Sequence, residues 1–379
     1  MLFRSQVSEP FSGLPPYEGR EYRCVPAGRD EAAEVADILR RTSMQGWVRT
    51  VFAPGPDAAR DPFRREQLTV CIRQRSGKGV CVAVYALHRF LVQYAGRGQE
   101  AVYLGLLRVL PEYRGSRGIF RDGFAAIPHF VRHLGWPERY FTSIAVDNLP
   151  ARRLLEAGLR SLPRYTPLGE LHTLIFSCAL GRGSHLLTRA DAAQWPEVVA
   201  FYNRMMRDVP YAPVLGEAFL REGTGLAVED FHILRREGRV AGCLALWDRR
   251  TSRRILVEGY RPPLHALRPA VNLWARLCGR PSLPAPGHAL EMGYAAFLAV
   301  EPEFHSLAGG MLREALFLAR RHYGLRGLLL GLAPHGSLWP VLSRLPHTAY
   351  TTCIEHVAWP HGEAVPASCV PVQPEIALL

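Results

Sequence analysis

Apolar residues along the chain follow two rhythms, and their order predicts the elements. "EYRCVPA" (Glu21–Ala27) alternates and reads as a strand. "GRDEAAEVADILRRTS" places apolar residues at helical spacing behind Asp30, a candidate N-cap. "LTVCIRQR" and "VCVAVYALHRFLVQYA" flank the turn signal "SGKG", and "GRGQ" (Gly96–Gln99) separates the second run from "AVYLGLLRVL". The pattern predicts three consecutive antiparallel strands ending at Pro111. A helix follows over Ile119–His133, then a strand over Arg139–Val146. "NLPARRLLEAG" has Asn148 before a helix, Pro150 at its start and Gly158 at its end. A strand at Leu171–Cys178 completes the order β α β β β α β α β.

After "GRGSH" (Gly181–His185), which reads as a linker, the pattern restarts. "QWPEVVAFYNRMM" is a helix, and "FHILRREGRVAGCLALWDRR" a hairpin turning at Glu237–Gly238. "LEMGYAAFLAV" is a strand, "EALFLARRHYG" a helix, and "LRGLLLGLA" and "TTCIEHVAW" are strands. "RVLPEYRGSRG" aligns with "LAVEPEFHSLAGG", so that Pro111, Glu112, Tyr113 and Gly118 fall on Pro302, Glu303, Phe304 and Gly309. A repeat of this period is read as a duplicated domain. The expected division is an arm over 1–20, one domain over 21–180, a second over 185–360 and an irregular tail over 361–379.

With 379 residues, 48% hydrophobic and 21% charged, the chain suits two globular domains. The net charge of +12 permits an acidic partner, but Lys78 is the single lysine and the arginines are spread along the chain. The clustered stripe that nucleic-acid binding needs is absent, so nucleic acid is not the expected partner. Eight cysteines without a CxxC pair read as small buried hydrophobes of a reducing compartment. No apolar h-region opens the sequence and no run of about twenty apolar residues could span a bilayer, which predicts a cytoplasmic protein. His129 and His133 share a helix face without a third ligand, so no metal is expected.

The chemistry concentrates in "PEYRGSRGIF" (Pro111–Phe120). A strand that runs into a Gly-rich turn and then a helix offers unpaired N–H groups and the positive end of the helix dipole to an anion. Arg114 and Arg117 add side-chain donors.

Together, "VLPEYRGSRGIF" and "NLPARRLLEAGL" resemble the paired motifs of the GNAT superfamily of N-acetyltransferases, clearly over about 20–180 and weakly over 185–360. The resemblance implies an α/β (α+β) fold of two tandem GNAT-like domains, each a mixed, mainly antiparallel sheet flanked by helices. It implies acetyl-CoA or another acyl-CoA as co-substrate and transfer of the acyl group to a primary amine on a small molecule or peptide. Val109 and Leu110 match the splayed strand end that meets the pantetheine arm. Arg114, Gly115, Ser116, Arg117, Gly118 and Ile119 match the pyrophosphate loop, and Asn148 the residue that contacts the cofactor arm. The loop is one residue longer than the family pattern, and Leu155 stands where the family has a tyrosine that protonates the leaving thiolate. Tyr165 and Glu100 are the catalytic candidates named in its place, with Tyr103 and His172 as further polar groups able to face the cleft.

In the second half His305, Ser306 and Ala308 replace Arg114, Gly115 and Arg117, which implies a degenerate domain. Two alternatives stay open beside acyl-CoA-dependent transfer: an acidic acyl-carrier protein as donor, and a catalytically silent acyl-CoA-binding or scaffold protein.

Overall fold

The computed structural model describes residues 11, 13–42, 48–54, 66–76, 79–155, 157–159, 162–221, 224–278, 280–359 and 371–379. The first half contains β1 (Tyr17–Glu18), β2 (Tyr22–Pro26), α1 (Ala32–Arg41), β3 (Val48–Pro54), β4 (Gln67–Gln74), β5 (Cys81–Tyr94), β6 (Arg97–Val109), α2 (Arg117–His133), β7 (Tyr140–Ala145), α3 (Leu149–Leu155) and β8 (Arg164–Ser177). The second contains β9 (Thr188–Arg189), α4 (Trp195–Met206), β10 (Phe231–Arg236), β11 (Arg239–Trp247), β12 (Arg253–Tyr260), α5 (Pro262–Leu277), β13 (Met292–Val300), α6 (Ala308–Tyr323), β14 (Gly327–Leu332), α7 (Trp339–Leu342) and β15 (Thr348–Ala358).

Thirteen of these strands form one sheet in the order β1-β2-β4-β5-β6-β7-β15-β8-β14-β13-β11-β10-β9. Its pairings are antiparallel except two, β6 with β7 and β13 with β14. The halves interlock at the centre. β15, the last strand of the second half, lies between β7 and β8, and β8, the last of the first half, pairs with β14. A small second sheet, β3 with β12, ties the halves again.

The two halves repeat in backbone detail. Leu106 in β6 and Phe297 in β13 both have positive φ, 58° and 54°, and are separated by the same 191 residues as Pro111 and Pro302. Each sits at a register shift against its antiparallel neighbour, so both strands carry a bulge at the same place. A left-handed conformation at a non-glycine residue is costly and persists where the surroundings demand it. Sheet alternation sends Val102 and Leu104 into the core beneath α2, and Tyr103 to the opposite face with Phe141 and α4. A separate core lies under α6.

Several boundaries differ from the sequence reading. The hairpin turn before β6 is the two residues Ala95–Gly96, both with positive φ, and strand pairing resumes at Arg97 rather than after Gln99. Part of the "SGKG" turn lies outside the described residues. Glu31, not Asp30, stands at the N-cap of α1, and its carboxylate accepts from the Gly28 N–H. The 181–185 segment, read as a linker, is pinned against α6. A Cβ on Gly181 would lie 2.5 Å from the Phe317 nitrogen, and the Glu314 carboxylate accepts from Ser184 Oγ and the Leu186 and Leu187 N–H groups. The last residues, 371–379, have no regular structure, yet Val372, Ile376, Ala377 and Leu378 are buried in the core under α4. β3, β12 and α5 had no counterpart in the sequence reading.

Candidate acyl-donor site

β6 and β7 pair over three residues only, Val102–Leu104 against Tyr140–Thr142. Beyond them β6 runs on to Val109 and β7 to Ala145, and the parallel strands part into a wedge. Leu110 N–H donates to Val82 O at 3.0 Å, so it belongs to the β5 side. The alternation of an antiparallel ladder turns the backbone of Val109 the other way, toward the wedge. Of the two residues assigned to the strand end, Val109 is the one that faces it.

The loop at the mouth has the geometry of an anion cradle. Ser116 is extended (ψ 109°) and breaks the preceding 3-10 turn before α2 begins. Its hydroxyl bonds Tyr22 OH at 3.0 Å instead of capping the helix, and the first turn of α2 holds no acidic residue. The helix therefore starts with N–H groups that no side chain caps. Arg114, Gly115 and Arg117 are exposed there, with Arg114 Nε 3.5 Å from Val109 O, while Gly118 and Ile119 are buried. A Cβ on Gly118 would lie 2.6 Å from a Glu21 carboxylate oxygen, and that carboxylate is ion-paired to Arg121 at 3.1 Å. Asn148 opens α3, its Oδ1 accepting from Ala151 N–H at 3.4 Å.

The catalytic candidates lie apart. Glu100 is near the β5–β6 turn, ion-paired to Arg89, and about 20 Å along the strand from Leu106 at 3.4 Å per residue. Tyr165 packs edge-on against Phe124, its phenol held above the usual range by burial and by the Glu355 charge. His172 bonds Thr351 Oγ1 at 3.2 Å and packs tilted against Trp339. Leu155 is buried in the core below α2 and offers no proton.

Tyr103 is at the fork. A Cβ on Gly105 would lie 2.7 Å from its ring, so glycine lets the ring lean along the strand. Its hydroxyl meets Ser143 Oγ at 2.7 Å, one residue past the last position at which β7 pairs with β6. Burial holds the phenol above its usual range despite the Ser143 bond. Across the ladder, His88 faces Tyr103, and burial with the Arg253 and Arg249 charges lowers its imidazole to about 3, so it stays neutral. Burial and the Arg253 charge also lower Arg108, whose guanidinium bonds Leu107 O. The alternating pattern of β6 alone could not distinguish Tyr103 from any other inward tyrosine; the Gly105 beside it was the one local hint.

The second half has the same wedge, and it is full. β13 and β14 pair over Met292–Tyr294 and Gly327–Leu329 and then part. Residues 371–379 fill the opening. Phe297 N–H, at the bulge, donates to Glu375 Oε2 at 2.9 Å, and Ile376 packs where a Gly331 Cβ would lie at 2.7 Å. Burial raises the Glu375 carboxyl to about 7.

No protein-family model matches this sequence, and no curated protein matches it. Solved structures do. Saccharomyces cerevisiae N-myristoyltransferase with bound myristoyl-CoA superposes with TM-score 0.61 at 10% identity, over 97% of this chain and 89% of that one. A GCN5-related glucosamine N-acetyltransferase region of a fungal multi-domain GH3 β-N-acetylglucosaminidase superposes with TM-score 0.60 at 16% identity, over 89% of this chain and 38% of that one. The chain shares the fold of these structures. Among the described residues no helix is long and apolar enough to cross a membrane.

Proposed function

We propose that the protein is an acyl-CoA-dependent N-acyltransferase with one active site per chain, in the β6–β7 wedge. The observation that carries this reading is the contrast between the wedges. In the second, a carboxylate oxygen accepts from the bulge N–H of Phe297. In the first, Leu106 holds the corresponding place. An acyl carbonyl oxygen is the equivalent acceptor there, and the Leu106 N–H supplies the oxyanion donor.

The coenzyme A pyrophosphate lies on the uncapped N-terminus of α2 with Arg114 and Arg117, and the pantetheine arm runs past Val109 and Asn148. The amine attacks the thioester carbon, and the electron pair of the breaking C–S bond goes to sulfur. Tyr103, protonated at neutral pH, gives its proton to that thiolate in place of the tyrosine that Leu155 replaces, and the proton that the nitrogen sheds as the amide forms passes through solvent and restores the Tyr103 phenol. The positive field of Arg108, Arg249 and Arg253 favours the neutral, nucleophilic form of a bound amine. The Tyr103–Ser143 pair closes the fork and favours a short donor, with acetyl-CoA the simplest. Residues 21–180, completed by β15, form the catalytic unit, and 185–360 form a supporting one. A small amine or peptide N-terminus is the acceptor, and a cytoplasmic location fits the free cysteines.

The test is calorimetric titration of acetyl-CoA and longer acyl-CoAs, followed by thiol release with a panel of amines. One site per chain, weakened by Arg117→Ala, supports the reading. Binding without thiol release from any amine would favour a non-catalytic acyl-CoA-binding protein, the reading that Leu155 supports. No binding would move the donor to an acyl-carrier protein, which the +12 charge would attract.

A further inference from the structure

Helix α5 packs inward through Leu264, Val271 and Ala275, with Arg268 and Asn272 half-buried beside them, and carries a second apolar face: Leu267, Leu273, Trp274 and Leu277 point outward at 58%, 62%, 52% and 80% exposure. Leu267, Trp274 and Leu277 follow one another at steps of seven and three, so they form one stripe along a helix about 24 Å long. A surface helix normally turns such a stripe toward the core.

The charge around the stripe has one sign. Between Arg261 and Leu290 there is no acidic residue, while Arg268, Arg276 and Arg280 lie within it. Arg280 stacks over Trp274 at 5.2 Å and donates to His347 O at 2.7 Å. Beside them opens a cavity of about 620 Å³ lined by Trp274, Cys278, Arg280, Arg344 and Pro346. Leucine and tryptophan flanked by arginine are the composition of a helix that lies in a bilayer interface. A second copy would bring the same arginines against one another and is disfavoured by that repulsion.

We propose that α5 docks the protein on an anionic membrane surface, with Leu273, Trp274 and Leu277 entering the acyl boundary and Arg276, Arg280 and Arg344 meeting lipid phosphates. The test is co-sedimentation with vesicles of phosphatidylcholine alone and of phosphatidylcholine mixed with phosphatidylglycerol, for the full chain and two variants. The triple variant Leu273→Gln, Trp274→Gln, Leu277→Gln changes exposed side chains, and an unchanged thermal melt confirms that it folds. The expected result is binding to the mixed vesicles only. That binding is weakened about fivefold by loss of one arginine in Arg276→Gln and by at least ~10-fold in the triple variant. Absence of binding, or equal binding by wild type and triple variant, overturns the proposal. So does a lipid-free dimer, seen by sedimentation velocity, that the triple variant abolishes, because the stripe would then belong to a second copy.

Discussion

The two wedges of this molecule share a backbone, and the chain's own tail enters only one of them. Both arise where parallel strands part after three paired residues, and both carry a bulge with positive φ at the same repeat position. The β13–β14 wedge receives the chain's own residues 371–379, and the bulge N–H is satisfied by Glu375. The helix starts differ as well. Extended Ser116 breaks the chain before α2, whereas Leu307 keeps helical angles (φ −81°, ψ −14°) and carries the turn straight into α6. What fills the β13–β14 wedge is thus supplied from outside its strands, by residues 371–379.

The largest effect should separate the two loops. Gly118→Asp adds a carboxylate at the start of α2 and a Cβ against Glu21, and should reduce acyl-CoA affinity by at least ~100-fold, about 3 kcal/mol. Gly309→Asp, at the repeat position, where a Cβ would meet only ordinary contact with Val341, should leave that affinity within about twofold. Equal losses in both variants by calorimetry would restore a second site.

Tyr103→Phe comes next. It should lower kcat by about 10²-fold or more with KM little changed, since a proton donor acts in the transition state. An unchanged kcat would return the role to another group or to water.

Ile376→Ala opens space in the filled wedge without adding a ligand site. It should destabilise the protein by about 2–4 kcal/mol in urea unfolding, with acyl-CoA stoichiometry still one. A second binding event would show that the tail merely occludes a working site.

The smallest effect is a pH slope. The Glu375 carboxyl, raised to about 7 by burial, binds a proton more tightly in the folded chain than in the unfolded one. Its contribution is present below the ordinary carboxyl range and is lost as pH rises through about 7. Glu375→Gln keeps an oxygen for Phe297 N–H and should flatten the fall in stability between about pH 4.5 and 7, by about 1–3 kcal/mol. Melting curves across that range give the answer, and parallel slopes for both proteins would mean Glu375 does not titrate there.

Much of this was legible in the linear chain because it depends on local rules. Period-two runs marked β4, β5 and β6, a Gly-rich turn marked the start of α2, and Asn148, Pro150 and Gly158 bracketed α3. The loop residues Arg114 to Gly118 could be named because their chemistry is contiguous. The misses have a common cause in long-range packing. β3 finds its partner in β12, about two hundred residues away, so it carries no local partner signal, and the near neighbour of β12 is the irregular 287–290 segment, bridged through Leu256 and Ala289. α5 shows its apolar stripe in the sequence, but which way the stripe faces depends on what it packs against.

By itself, then, the sequence determined the class of fold and showed the internal repeat and the Gly-rich, arginine-bearing turn before α2, since backbone propensity and side-chain period act over a few residues. Only the tertiary structure decided that β15 and β8 change places, that Tyr103 rather than Glu100 or Tyr165 reaches the fork, and that the proline-rich tail closes one wedge and leaves the other. Those outcomes depend on which distant segments bury the most apolar surface together, and no window of neighbouring residues contains that competition.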